Sequence, residues 1–199
     1  MKESGIGLTS PCCGSPAITA KEPQCSYLEF YSITQHETYS HGGDSMKNIE
    51  TARLCLTLAN DEEMEHVIAA ENDAELKKAY GEMLHGAQEH PEIRELYAMW
   101  FIKLKGEPET VIGDMCFKGL SDDGMVEIGY GVYPNYENHG YATEAVMALV
   151  DWVIKRDGVK CVEAEAEESN AASLRVLEKC GFVANGKIGA EGPRFAMKS

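Results

Sequence analysis

Tyr133-Pro-Asn-Tyr-Glu-Asn-His-Gly-Tyr-Ala-Thr143 marks the point where the hydrophobic period of the chain changes. Before it, Met125–Val132 alternates as a strand. After it, Ala142, Ala145, Val146, Leu149, Trp152 and Val153 share one helical face, and Lys155, Arg156 and Gly158 close that helix. A strand that runs through a loop into a helix aims free backbone amides and the positive helix end at one point, which suits a phosphate or pyrophosphate. Gly140 allows the backbone to approach closely, and Ala142 keeps the second turn low enough for a ligand to lie over it. By itself a glycine before a helix is usually just a loop residue. The loop is neither G-x-x-x-x-G-K-S/T nor G-x-G-x-x-G, so the nucleoside triphosphate and dinucleotide fingerprints are missing.

Working outward, Ala52–Leu58 alternates as a strand with Leu54, Leu56 and Leu58 on one face. Asn60-Asp-Glu-Glu63 is a capping box that opens a helix through Met64, Val67 and Ile68. Asn72 and Glu75 open a second, with Leu76, Tyr80, Met83 and Leu84 at helical spacing before Gly86. Strands at Leu96–Leu104 and Thr110–Leu120 flank the turn Lys105-Gly-Glu-Pro108, and Ser121-Asp-Asp-Gly124 leads by a hairpin into Met125–Val132. Beyond the central helix, Cys161–Ala166 is a strand. Asn170 then caps a helix carrying Leu174, Val176, Leu177 and Cys180, and Phe182–Ala184 and Arg194–Met197 are short final strands. The order β-α-α-β-β-β-α-β-α-β-β predicts an α/β fold, a mixed sheet with helices on its faces.

The 199 residues suffice for one well-buried α/β domain. Residues 1–47 hold several breakers and no sustained period apart from a strand-like Tyr27–Ile33, and the domain is expected over 48–199. The leader reads as an appended arm or as an extension foreign to the domain. No apolar run is long enough for a bilayer and the N-terminus lacks a secretory layout, so the expected location is cytoplasmic, with no membrane partner. A net charge of −15 argues against nucleic acid and favours cationic substrates such as amines, though it equally describes a generally acidic protein. Cys55, Cys116, Cys161 and Cys180 read as small core residues of a reduced protein. Cys12, Cys13, Cys25, His36 and His41 lack a standard zinc spacing, so no metal is expected.

Two motifs in order carry a resemblance. Tyr133–Ala145 is similar to the acetyl-CoA motif of the GNAT superfamily of N-acetyltransferases, commonly R/Q-x-x-G-x-G/A followed by a helix. Asn170-Ala-Ala-Ser-Leu-Arg-Val-Leu-Glu-Lys-Cys-Gly-Phe182 resembles its second motif, N-x-x-S-x-x-x-L-E-K-x-G-F. Ile49–Leu56 resembles the opening strand of the branch that includes ribosomal-protein alanine acetyltransferases. The resemblance implies a largely antiparallel, splayed sheet with helices on both faces. Acetyl-pantetheine would lie between Met125–Val132 and Cys161–Ala166. It also implies acetyl-CoA as cosubstrate, held by Val132, Asn138, His139, Gly140, Tyr141, Ala142, Thr143 and Asn170. The reaction implied is acetyl transfer to a primary amine, either a protein N-terminus or a small molecule, by a monomer or homodimer. A non-catalytic acyl-CoA-binding regulatory module is the alternative.

Three positions set this chain apart or carry its chemistry. Glu137 stands where the family favours Arg or Gln and should repel phosphates, while His139 beside it offsets that charge when protonated. Leu177 occupies the place where many relatives carry a tyrosine general acid, which leaves Ser173, water, Tyr133 or Tyr136 to supply the proton. Glu127, in Val126-Glu-Ile-Gly-Tyr130, matches a glutamate frequent in the family and is the candidate base, with a purely structural ion pair as the competing role. Glu163, Glu165, Glu167 and Glu168 make an acidic strand end, read by default as a solvated face.

Overall fold

A computed structural model describes residues 48–198 of the chain. The expectations for residues 1–47, the Tyr27–Ile33 strand and the cysteine–histidine set among them, lie outside the described residues. In chain order the strands are β1 (Asn48–Glu50), β2 (Leu54–Leu58), β3 (Met99–Leu104), β4 (Glu107–Leu120), β5 (Met125–Val132), β6 (Cys161–Glu165), β7 (Val183–Ile188) and β8 (Pro193–Lys198). The helices are α1 (Asp61–Ala70), α2 (Ala74–Glu89), α3 (Tyr141–Val153) and α4 (Ala171–Lys179). All strands join one sheet in the order β1-β2-β3-β4-β5-β6-β8-β7. Among the described strands only β5 and β6 run parallel; every other neighbouring pair is antiparallel. The mixed, largely antiparallel α/β expectation holds.

Alternation along β3 explains why the helices divide between two faces. Trp100 and Ile102 pack with Val146, Leu149 and Val150 of α3 and Leu177 of α4. Met99 and Phe101 point the other way and pack with Met64 of α1 and Ala87 of α2. Tryptophan 100 is fully buried and still satisfies its indole N–H, which donates to the Glu95 carbonyl at 3.0 Å. Glu95 is itself buried and accepts from Arg156 just past α3 at 2.5 Å, tying the end of that helix to the chain entering β3.

Boundaries differ from the sequence reading in several places, β4 beginning at Glu107 rather than Thr110 and β7 running on to Ile188 rather than Ala184 among them. The strand read over Ala52–Leu58 begins at Leu54, and residues 48–50 form a separate strand folded back on it, with Ile49 opposite Leu56. The cause is Thr51, whose hydroxyl accepts from the Leu54 amide at 2.8 Å and pulls the chain into a turn. The cap of α2 is Asp73 rather than Asn72, since the Asp73 carboxylate accepts from the amides of Glu75 and Leu76. Leu96 belongs to a 3₁₀ turn, Pro91–Leu96, that precedes β3. Finally, Gly86 does not end α2, which continues to Glu89.

Gly86 is where the ring of Tyr97 lies against the helix: a Cβ there would meet Tyr97 Cδ1 at 2.7 Å. One turn earlier, Gly81 has nothing within 4 Å of the same position. Identical substitutions in one helix should therefore have opposite signs. Gly81→Ala should stabilise the fold by about 0.5–1 kcal/mol through helix propensity. Gly86→Ala should destabilise it by about 1–3 kcal/mol through overpacking. Chemical denaturation of the two variants beside the parent checks this.

Candidate active site

The sheet opens at its centre. β5 and β6 share three residue pairs, Met125 with Cys161, Val126 with Val162 and Glu127 with Glu163. Beyond Glu127 the strands part, although β5 continues to Val132 and β6 to Glu165. At the far end of β5 the chain passes through a 3₁₀ turn, Pro134–Tyr136, into the loop before α3. Asn138 and Gly140 both take the left-handed conformation there, at φ 62° and 78°. Gly140 is the N-cap of α3 and offers no side chain to cap it, so the amides of the first turn point outward without a side-chain acceptor. A pyrophosphate fits such an end.

This helix start is held in place from the other edge of the sheet. The carboxylate of Glu144, in the first turn of α3, accepts from the Thr51 hydroxyl at 2.6 Å and the Arg53 amide at 2.9 Å. It also accepts from Arg53 Nε at 2.7 Å and Nη2 at 2.6 Å. Burial alone would raise the Glu144 pKa, but these donors outweigh it and hold the carboxyl below its ordinary value. Arg53 further donates through Nη1 to the His139 carbonyl at 2.9 Å, and its guanidinium lies 4.7 Å from the centre of the Tyr141 ring. His139 stacks on the other partner, Tyr141, and its Nδ1 lies 2.7 Å from the Glu137 carbonyl. A carbonyl only accepts, so Nδ1 carries the proton in that contact. Glu137 itself is exposed.

Register assigns a row of side chains to the sheet face opposite α3 and α4. Phe101, Asp114 and Gly131 lie opposite one another across β3, β4 and β5, and Phe101 belongs to the α1–α2 side. Glu127 falls on the same face, beside Glu163, with Glu165 opposite Arg194. Arg194 reaches Glu127, Glu163 and Glu165 together, and Lys118 also pairs with Glu127. Burial alone would lower the Arg194 pKa, yet the Glu127 and Glu163 carboxylates push it up. Glu163 and Glu165 are buried, which corrects the solvated-face reading. Strand β6 is flanked by β5 and β8, so its alternate residues turn inward beneath the β7–β8 hairpin, where Asn185 and Lys187 also donate to Glu163. Glu165 takes the Gly192 amide at 2.9 Å and the Glu191 amide. Glu168 is exposed and Glu167 half-buried.

On the helical side of the opening, Asn170 accepts from the Ser173 amide at 3.0 Å and so caps α4. Ser173 meets the hydroxyl of Tyr130 at 2.8 Å. Leu177 is fully buried among α3 and sheet residues. Cys180 is buried, and burial pushes its thiol up to about 11. Val132 is half-buried at the end of β5, opposite Gly113. The Thr143 carbonyl lies 3.7 Å from Cys180 Sγ, and Ala142 is half-buried. The structure thus brings Val132 and residues 138–143 together around the helix start. Ser173 reaches Tyr130 on β5 from the start of α4, which Asn170 caps, and Glu127 lies where β5 and β6 begin to part. Cys116 is buried, while Cys55 and Cys161 are only half-buried on the sheet. No group of three or more His, Cys, Asp or Glu suited to a metal ion occurs among the described residues.

A family model described as an acetyltransferase (GNAT) domain matches residues 48–183. The chain belongs to that family. Among curated relatives, the uncharacterized N-acetyltransferase YjdG of Bacillus subtilis (strain 168) is 36% identical over 88 residues, 44% of this chain and 52% of YjdG. The chain therefore spans about half of that relative's length. The uncharacterized N-acetyltransferase YoaA of the same organism is 26% identical over 150 residues, 70% of this chain and 85% of YoaA. Among solved structures, RimL, a ribosomal L7/L12 alpha-N-protein acetyltransferase, aligns with a TM-score of 0.60 at 16% identity, covering 81% of this chain and 99% of RimL. The ribosomal-protein-S5-alanine acetyltransferase of Vibrio fischeri aligns with a TM-score of 0.60 at 18% identity, covering 76% and 96% of the two chains. These structural likenesses establish the fold.

Arg53, Tyr130, Arg194 and Lys118 join this region without a local sequence signal. The nearest signal for Arg53 is an acid, Glu144, in the first turn of a helix whose loop already carries Glu137: the site needs a cation from elsewhere in the chain. Asp114 also joins it. Protein encloses this carboxyl, though part of its surface reaches solvent, and burial raises its pKa to about 6. Burial first, and the Asp114 charge second, also raise Tyr133 above its ordinary value. A carboxyl with a raised folded-state pKa favours the protonated fold, so its contribution is fully present below about pH 4 and lost as pH rises through about 6. Asp114→Asn should therefore stabilise the protein at pH 8 by on the order of 1–3 kcal/mol, with the gain vanishing by pH 4. Thermal melts of parent and variant across that range test the sign.

Proposed function

We propose that the domain transfers an acetyl group from acetyl-CoA to a primary amine by direct attack, with both substrates bound together. The supporting observation is the parting of β5 from β6 in a cleft that ends at the uncapped start of α3. An extended thioester fits between strands that have lost their mutual pairing, and a backbone N–H that reaches the acyl oxygen would stabilise the charge that develops on it. The first-turn amides of Tyr141, Ala142 and Thr143 would take the pyrophosphate, approached over Gly140, with Val132, Asn138 and His139 beside it and Asn170 across the cleft. Arg53, paired with Glu144, donates to the His139 carbonyl and so fixes the loop that carries Glu137.

Glu127 is the proposed acceptor of the amine's proton, directly or through a water, because it stands where the cleft opens on the face away from α3 and α4. A covalent acyl-enzyme is disfavoured by the burial of Cys180 and its raised thiol. RimL and the S5-alanine acetyltransferase, by their names, act on ribosomal proteins, so peptide α-amines belong in the acceptor set beside small amines. The second reading is a non-catalytic acyl-CoA sensor, favoured by the apolar Leu177 and by the two cations that hold Glu127.

Acetyl-CoA at a hundredfold excess over its Kd should stabilise the fold by about 2.7 kcal/mol. Gly140→Val should lose that shift, since a side chain at this left-handed position strains the loop and blocks approach to the amides. With a panel of small amines and N-terminal peptides, CoA release and an acetyl mass gain on the acceptor are expected. Glu127→Gln should cut kcat by about 10²–10⁴ while the acetyl-CoA shift persists. Binding without any turnover across the panel establishes the sensor reading instead, and a flat thermal titration defeats both.

A further inference from the structure

Tyr130 and Ser173 stand on opposite sides of the cleft, one on β5 and the other in the first turn of α4. Their hydroxyl oxygens are 2.8 Å apart, and the Tyr130 oxygen is also 3.2 Å from the Ser173 carbonyl. Both residues are half-buried, and the Ser173 backbone is fixed by the Asn170 side chain. A phenol has one proton, and the short contact admits donation in either direction. When Tyr130 donates to Ser173 Oγ, the serine proton is freed to point into the cleft. A serine hydroxyl alone is a poor acid, but donation from a phenol polarises it and lets a second proton follow the first.

Where the resemblance implies a tyrosine acid, this chain has the buried Leu177, whose side chain has no proton to give. Tyr130 reaches the first turn of α4, one turn before Leu177, from β5. We infer that Tyr130 and Ser173 form a two-hydroxyl relay that returns a proton to the departing coenzyme sulfur, with Tyr130 as the positioning residue that aims and recharges Ser173. This rests on the acetyl-transfer reading above. The amine nitrogen bonds to the acetyl carbon, and the carbon–sulfur bond breaks with its electron pair going to sulfur. Sulfur takes the Ser173 proton, Ser173 takes that of Tyr130, and solvent restores the phenol. The surplus proton of the amine leaves to Glu127 or water.

The test is a double-mutant cycle in the full-length protein with Tyr130→Phe, Ser173→Ala and the pair, using whichever amine the parent acetylates. Tyr130→Phe keeps the ring and removes only the hydroxyl. It should lower kcat about 10–100-fold, leave the KM for acetyl-CoA and its thermal shift unchanged, and displace the alkaline limb of the kcat–pH profile. In the Ser173→Ala background the same change should cost less than twofold, because one relay is broken only once. A tether with no chemical part predicts the reverse: a lower melting temperature, a raised KM, an unmoved pH profile and losses that add. Parent-like kcat in Tyr130→Phe, or additive losses, overturns the relay while leaving acetyl transfer intact. If Tyr130→Phe does not fold, the pH profile of Ser173→Ala decides alone, and an unmoved alkaline limb overturns the relay. A parent that binds no acetyl-CoA or transfers no acetyl group removes the reading beneath it as well, and that failure is visible before any variant is made.

Discussion

Two parallel strands that pair for three residues and then separate are the constraint from which the rest of this structure follows. A separated strand leaves backbone donors and acceptors without the partners a continuous sheet supplies, and such groups are costly unless something else takes them. The chain places around this gap the elements able to tolerate or use it. Helices α3 and α4 cover one face of the sheet and pack Leu149, Val150 and Leu177 into the core on that side. Tyr130 and Ser173 bridge the gap on that side. The opposite face carries the carboxylates and the cations that match them.

That opposite face shows how an acidic protein keeps charge at a site without tearing it apart. Glu127, Glu163 and Glu165 project in one row, and Arg194, Lys118 and Lys187 reach into it. Buried carboxylates at such spacing are tolerable only when paired, because each unpaired charge costs several kcal/mol of desolvation. Arg194 does most of the matching because its planar fork engages three acids at once. The same logic governs the helix start, where a single carboxylate, Glu144, gathers the Thr51–Arg53 turn and fixes the loop that precedes α3.

Much of the fold was legible because its signals are local. The capping box at Asn60 and Glu63 forms as read, with the Glu63 amide donating to Asn60 at 2.9 Å. Asn170 caps its helix, and the order of strands and helices follows from changes of period. Errors fell where a contact distant in sequence overrules local preference. Gly86 looks like a helix stop until Tyr97 is placed against it, and Ala52–Leu58 looks like one strand until Glu144 is seen drawing Thr51 into a turn. Glu163 and Glu165 look solvated because nothing nearby in sequence announces that β8 inserts between β6 and β7.

The sequence by itself determined the class of fold, the two motifs of the family and the helix start at Gly140, since each depends on residues within a few positions of one another. Only the tertiary structure decided which charges meet. Arg53 reaches the α3 loop, Arg194 holds Glu127, and Tyr130 finds Ser173 through pairings between strands and helices far apart along the chain. Hydrophobic period and capping act over one or two turns of chain and are written locally. Ion pairs and hydroxyl contacts depend on sheet order and register, which place residues side by side whatever their separation in sequence.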